Sequence, residues 1–168
     1  MYILGDIGNS ETKVFLINSK NKIIKNISFP SKKINSKILN SSFNYLVKDF
    51  KSIKKILFCS VVPKSFNLIK KFFKKKTIKR CYEVKDLKLK SLIKIDVNYK
   101  QVGSDRLTNA ISLLNNKDNF IILDFGTATT FDVILKQSYK GGVIAPGIKV
   151  SLKILSEKAT LIPKINLK

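Results

Sequence analysis

A gapless internal repeat constrains this chain more than any other feature. The segment starting at Tyr2, YILGDIGNSETKVFLI, lies over the segment starting at Phe120, FIILDFGTATTFDVIL, 118 residues later. Asp6 falls on Asp124, Gly8 on Gly126, Asn9 on Thr127 and Thr12 on Thr130. Each copy reads as a buried apolar strand, an Asp at its end, a small turn of Gly with hydroxyl or amide side chains, and a returning strand. Repetition of one such unit predicts a duplicated fold with two facing domains.

The chemistry follows from that shape. A rigid strand holds the Asp carboxylate where it can bind a cation directly or through water. The Gly lets the backbone approach a ligand, and turn N–H groups with Asn, Ser or Thr donors can cradle phosphate oxygens. Two such turns would clamp a nucleotide from both sides. One D-x-G-x copy is equally well a plain hairpin; two collinear copies favour the phosphate site.

Hydrophobic periodicity gives the order of elements. Tyr2–Ile7, Thr12–Asn18, Ile23–Phe29, Lys55–Val62 and Ile78–Val84 read as strands. Asn35–Phe50 and a basic segment after Pro63 read as amphipathic helices. The pattern weakens over 87–102. A helix then runs from Ser104 to about Asn115, followed by strands Phe120–Phe125, Thr129–Leu135 and Tyr139–Ile144 and a helix over Ile148–Lys158. This is an α/β chain with mixed sheets, divided into residues 1–86 (β-β-β-α-β-α-β) and 87–168.

Composition narrows the chemistry. No His is present, which leaves no histidine base, no His–Cys zinc site and no Ser-His-Asp triad in these residues. Two Cys make no disulfide scaffold and suit a reducing compartment; Cys59 and Cys81, each inside a strand, read as buried thiols. With no apolar run of about 20 residues and no signal-peptide pattern at MYILGDIGNS, the expectation is a soluble, cytoplasmic protein without a membrane partner. Lys and Arg number 33 against 11 Asp and Glu, a formal charge of +22, yet only Arg80 and Arg106 are Arg. Lysine drift from an A+T-rich coding sequence explains this, and the run Lys70–Arg80 fits a solvated helix face. The competing reading is a basic surface that attracts nucleic acid.

Five motifs then stand in order: Asp6-Ile-Gly-Asn-Ser10; Ser60-Val-Val-Pro63; Gly103-Ser-Asp-Arg106 with Asn109-Ala110; Asp124-Phe-Gly-Thr-Ala-Thr-Thr-Phe-Asp-Val133; and Gly141-Gly-Val-Ile-Ala-Pro-Gly147. Together they closely resemble the type III pantothenate kinases of the acetate kinase, sugar kinase, Hsp70 and actin superfamily. The resemblance implies duplicated ribonuclease H-like (actin-like ATPase) domains. It implies ATP-dependent phosphorylation of pantothenate to 4′-phosphopantothenate, the first step of coenzyme A biosynthesis. It further implies a homodimer, Mg²⁺ with the nucleotide, and a monovalent cation, K⁺ or NH₄⁺.

Carried over position by position, the resemblance makes Asp6, Ile7, Gly8, Asn9, Ser10, Glu11, Thr12 and Lys13 the first phosphate-binding turn for ATP, with Thr127 a second ATP contact. Asp105 resembles the general base on the pantothenate hydroxyl. Tyr99, Gly103, Ser104 and Arg106 match substrate-binding positions, and Asp124 the monovalent-cation ligand. Local sequence alone favours simple N-capping for Ser104-Asp105; the surrounding framework reverses that. Asp132 could reach the same cleft or be a hydrogen-bonded strand carboxylate. Against the family the second domain reads as truncated, leaving a sheet edge and apolar surface for which a subunit partner is the natural cover. The alternative function is a non-catalytic nucleotide-binding or regulatory relative that binds nucleic acid through its lysines.

Overall fold

The computed structural model describes residues 1–115, 117–159 and 163. The chain forms two compact units, Met1–Leu89 with Gly103–Thr108, and Lys90–Val102 with Asn109–Lys168. The single boundary expected after residue 86 is therefore replaced by three crossings. Gly103–Thr108 rejoins the first unit because the Ser104 hydroxyl is bound to the backbone of Ser60.

In the first unit, strands β1 (Tyr2–Ile7), β2 (Glu11–Ile17), β3 (Ile23–Pro30), β4 (Lys55–Ser60) and β5 (Cys81–Glu83) form one sheet in the order β3-β2-β1-β4-β5. β1 is antiparallel to β2 and parallel to β4, and β4 is parallel to β5. Successive strand side chains alternate between faces. Ile3, Gly5 and Ile7 of β1 therefore share one face with Val14 and Leu16 of β2 and with Ile56 and Phe58 of β4. Helices α1 (Ser36–Leu46) and α2 (Pro63–Lys76) cover this face through Leu39, Phe43 and Leu46, and through Phe66, Ile69, Phe72 and Phe73, and Phe29, Val47, Ile53 and Cys81 complete the core. Phe43 stacks on Phe72 at 5.1 Å between ring centres and meets Phe73 edge-on at 4.8 Å. The three consecutive lysines ending α2 lie in its last turn, where cations complement the helix dipole.

In the second unit, β6 (Lys94–Ile95), β7 (Asn119–Phe125), β8 (Ala128–Leu135) and β9 (Ser138–Pro146) form a sheet in the order β6-β9-β8-β7. Helix α3 (Ser104–Ser112) joins the units and α4 (Ile148–Lys158) follows β9. Three strands were expected here; β6 is the fourth. Asp96 pins it to β9: Lys140 and the Ser138 hydroxyl meet one carboxylate oxygen, and Lys94 lies 3.2 Å from the other. These partners, Lys140 foremost, hold the Asp96 carboxyl well below the usual carboxylate range. Asp132 is fully buried and accepts the Tyr139 hydroxyl at 2.5 Å, which makes it a strand carboxylate of the sheet interior.

The repeat allows the two sheets to be compared residue by residue. Ile121, Leu123 and Phe125 occupy the positions of Ile3, Gly5 and Ile7, yet they are 68%, 49% and 62% exposed. The face that α1 and α2 cover in the first unit is thus open in the second. Among the described residues no helix is long and apolar enough to cross a membrane.

Candidate active site

β1 and β4 run parallel and end side by side, with Ile7 opposite Ser60. The carboxyl ends of adjacent parallel strands are where open α/β sheets place ligands. Three pieces of chain converge there: the turn Gly8–Ser10, the exit of β4, and the first turn of α3.

The first turn is closed by the Gly8 N–H donating to the Glu11 carbonyl at 3.0 Å and anchored by the Ser31 N–H on the Ser10 carbonyl at 3.0 Å. Asn9, Ser10 and Glu11 are exposed, as a ligand-binding turn requires. Asp6 stands opposite Lys13 across β1–β2 and opposite Cys59 across β1–β4. All three lie on the face away from the Phe58 core. Strand alternation sends Ile7 and Thr12 the other way. Ile7 is wholly buried, and its carbonyl accepts the Val61 N–H at 3.1 Å. Thr12 is also wholly buried, its hydroxyl 2.8 Å from that of Ser31. Its side chain holds β2 to the segment after β3.

The Gly-Ser-Asp-Arg segment opens α3. Ser104, 1% exposed, accepts the Ser60 N–H and donates to the Ser60 carbonyl, both at 2.9 Å. The hydroxyl also lies 3.5 Å from the Cys59 sulfur. Burial pushes the Cys59 thiol up to about 12; hydrogen bonds with Ser104 and Thr108 oppose the rise, and the negative charges of Asp6 and Asp105 add to it. Asp6 pairs with Cys59 across β1–β4, and Ser104, the residue before Asp105, lies against the Cys59 sulfur, so Asp6 and Asp105 border the same buried thiol. Asp105 is half-buried, and its Oδ1 accepts the Arg106 N–H at 2.7 Å. The carboxylate folds over Gly103 so closely that a Cβ there would overlap it. Cys59 is a buried thiol within β4, as its place inside an expected strand implies.

The second turn belongs to the second unit. Asp124 is exposed at the end of β7, opposite Thr130, and its Oδ2 accepts the Asn109 amide at 3.2 Å. Asn109 stood in the motif without a role; it orients Asp124. The Gly126 N–H donates to the Ala128 carbonyl at 2.9 Å, and the Gly147 N–H donates to the Thr127 carbonyl at 3.0 Å. Tyr99 lies in this unit too, half-buried with the Lys90 ammonium 5.7 Å from its ring centre.

Gly147 is sterically obligatory. A Cβ there would sit 2.5 Å from the Thr127 carbonyl oxygen and 2.8 Å from its carbon, and would overlap the Gly126 carbonyl. These are backbone atoms that cannot rotate away. Gly147→Ala is expected to displace the Gly126–Thr127 turn and weaken nucleotide binding about ten-fold or more, by analogy with ångström-scale misplacement elsewhere. Isothermal titration with a non-hydrolysable ATP analogue reads this, and unchanged affinity would remove the turn from the site.

The Asn109 group that meets Asp124 is the amide N–H, so the carboxylate is the one oxygen donor this contact offers, of the kind that suits a hard cation. Among the described residues no group of three or more His, Cys, Asp or Glu forms a metal cluster.

The type III pantothenate kinase family model matches residues 2–168. A type III pantothenate kinase of Pelagibacter ubique (strain HTCC1062) is 65% identical over 168 residues, covering 100% of this chain and 68% of that protein. One from Sulfurihydrogenibium sp. (strain YO3AOP1) is 34% identical, covering 99% of this chain and 69% of that protein. The chain thus spans about two thirds of their length. Among solved structures, a Baf family transcriptional activator from Campylobacter jejuni superposes with a TM-score of 0.58 at 23% identity, covering 99% of this chain and 66% of its own. A 2-dehydro-3-deoxygalactonokinase protein from Sinorhizobium meliloti gives 0.55 at 10% identity, covering 96% and 58%. These likenesses carry the fold: an α/β chain of the actin-like, sugar-kinase type with two mixed sheets. By its family model and its relatives, the chain belongs to the type III pantothenate kinase family.

Proposed function

We propose that this chain transfers the γ-phosphoryl group of ATP to the primary hydroxyl of pantothenate, giving 4′-phosphopantothenate for coenzyme A synthesis. The observation that carries the reading is the convergence of Asp6 and Asp105 around Cys59 at the carboxyl ends of β1 and β4. The exposed turn Asn9–Glu11, closed by the Gly8 N–H on the Glu11 carbonyl, binds ATP phosphates, with Asp6 and Lys13 on the same face. Thr127 supplies a further ATP contact. Asp105 orients the pantothenate hydroxyl and accepts its proton as the new oxygen–phosphorus bond forms; the bond from γ-phosphorus to the bridging oxygen breaks, and ADP leaves. A weak carboxylate base suffices, since this transfer has a loose transition state and the proton moves late. Arg106 pairs with the pantothenate carboxylate in two-pronged fashion, and Tyr99 packs against the substrate.

Mg²⁺ bound with the nucleotide would supply charge neutralisation at the phosphates. Asp124, oriented by Asn109, is the residue that would hold K⁺ or NH₄⁺. The working enzyme is a cytoplasmic homodimer. Nucleic-acid binding through the lysines is not favoured; the intact phosphate turn and Gly-Ser-Asp-Arg motif support the kinase reading instead.

The test is a phosphorylation assay on purified protein with ATP and pantothenate, in K⁺ and in Na⁺. Product is expected, with turnover at least several-fold higher in K⁺. Failure to phosphorylate pantothenate, together with salt-dependent nucleic-acid binding, would transfer the assignment to a regulatory relative.

A further inference from the structure

We propose that Ser104 is a positioning residue for Asp105 rather than a ligand of the substrate, and that it acts as one half of a buried Ser104–Cys59 clamp. The proposal rests on the reading of Asp105 as the base. The argument is one of hydrogen-bonding capacity. A serine hydroxyl has one proton and two acceptor sites. The proton of Ser104 goes to the Ser60 carbonyl at 2.9 Å. One acceptor site takes the Ser60 N–H at 2.9 Å. The other faces the Cys59 sulfur at 3.5 Å; with the hydroxyl proton on the Ser60 carbonyl, the thiol is the donor in this contact, its single proton shared with the Thr108 hydroxyl. Nothing remains for a substrate, and at 1% exposure none could reach the hydroxyl.

The clamp has a defined mechanical consequence. Ser104 is the first residue of α3 and Asp105 the second. Fixing Ser104 to the last residue of β4 fixes the start of the helix to the strand end beside Asp6. The Thr108 hydroxyl, donating to the Ser104 carbonyl at 2.7 Å, ties the next turn to the same point. The Asp105 carboxylate therefore inherits its position from a strand of the core. The thiol stays protonated, as a donor must; its burial and the two nearby carboxylates both favour that form.

The experiment compares Ser104→Ala, Cys59→Ala and Asp105→Asn in the full chain, measuring kcat, KM for pantothenate, Tm, and the alkylation rate of Cys59 with Cys81 as internal reference. Ser104→Ala is expected to lower kcat about ten- to hundred-fold, the usual result of ångström-scale misplacement. KM for pantothenate should change less than about three-fold, since uniform binding is untouched. Cys59→Ala should lower kcat in the same direction but less. Alkylation of Cys59 should quicken in Ser104→Ala while that of Cys81 does not, a readout that needs no turnover. A raised KM at unchanged kcat, or unchanged Cys59 reactivity, would overturn the clamp. If Asp105→Asn keeps full activity, the reading of Asp105 has failed instead, and the alkylation result still judges the clamp alone.

Discussion

Gly5→Ala is expected to destabilise the first unit by about 3 kcal/mol, the upper range for overpacking a filled core. In equilibrium denaturation it should lower the thermal midpoint by more than 10 °C, at about 4–8 °C per kcal/mol for a unit this size. Gly5 lies directly opposite Phe58 across the parallel β1–β4 pair. The phenyl ring covers the glycine so closely that a Cβ would lie 2.9 Å from Cζ and overlap two nearer ring carbons. The ring cannot retreat. It is wholly buried, with Phe66 and Phe73 at 6.4 and 6.2 Å between ring centres. Alanine in place of glycine would by itself favour the folded state by roughly 0.5–1 kcal/mol through chain entropy. The clash exceeds that gain. Phe58→Val should relieve it, so the double variant should lose at least about 1 kcal/mol less than the two single losses together. Additive losses would mean that the ring does not press on residue 5.

The same strand shows what could be read from sequence and what could not. The repeat was legible because a strand, a tight turn and a returning strand are all local, and a gapless second copy rules out coincidence. The strands and helices around it followed from periodicity. Ends were less legible. The helix expected over Asn35–Phe50 stops at Leu46, and a separate 3-10 turn capped by Asp49 occupies Phe50–Ser52. Apolar spacing there is satisfied by both arrangements. β6 was invisible because two residues carry no period, and what holds it is the Asp96 side chain.

At the site the division is sharper. The repeat points to Asp6 and Asp124; Asp105 comes from the family resemblance, since local sequence alone favours an N-cap there. Which way Thr12 faces depends on its partners in the sheet, Ile7 on one side and Phe29 on the other. Whether Ser104 meets a ligand or the backbone depends on Ser60, 44 residues away in the chain. Motif letters do not carry such pairings, in which the Thr12 hydroxyl meets Ser31 and the Ser104 hydroxyl meets Ser60.

Asp105→Asn is expected to reduce kcat by about 10²–10⁴-fold, the range for losing a positioned proton acceptor, while KM for pantothenate and Tm stay close to their starting values. The amide oxygen has the shape and acceptor capacity to keep the Arg106 N–H bond, which the carboxylate Oδ1 makes at 2.7 Å. The start of α3 should therefore hold, since Ser104 and not Asp105 anchors it. What the amide lacks is a site for the proton of the attacking hydroxyl. Gly103→Ala makes an independent approach to the same atom. The added methyl would overlap Oδ1 and lie 3.3 Å from Cγ of Asp105, and the atom struck is the free end of a side chain that can turn aside. Its stability cost should be small, and its cost in kcat about ten- to hundred-fold, because the carboxylate survives but points elsewhere. A base acting through position predicts that both variants fail in kcat with substrate affinity kept. Should both fail in KM alone, Asp105 would be a substrate ligand and the proton would need another acceptor.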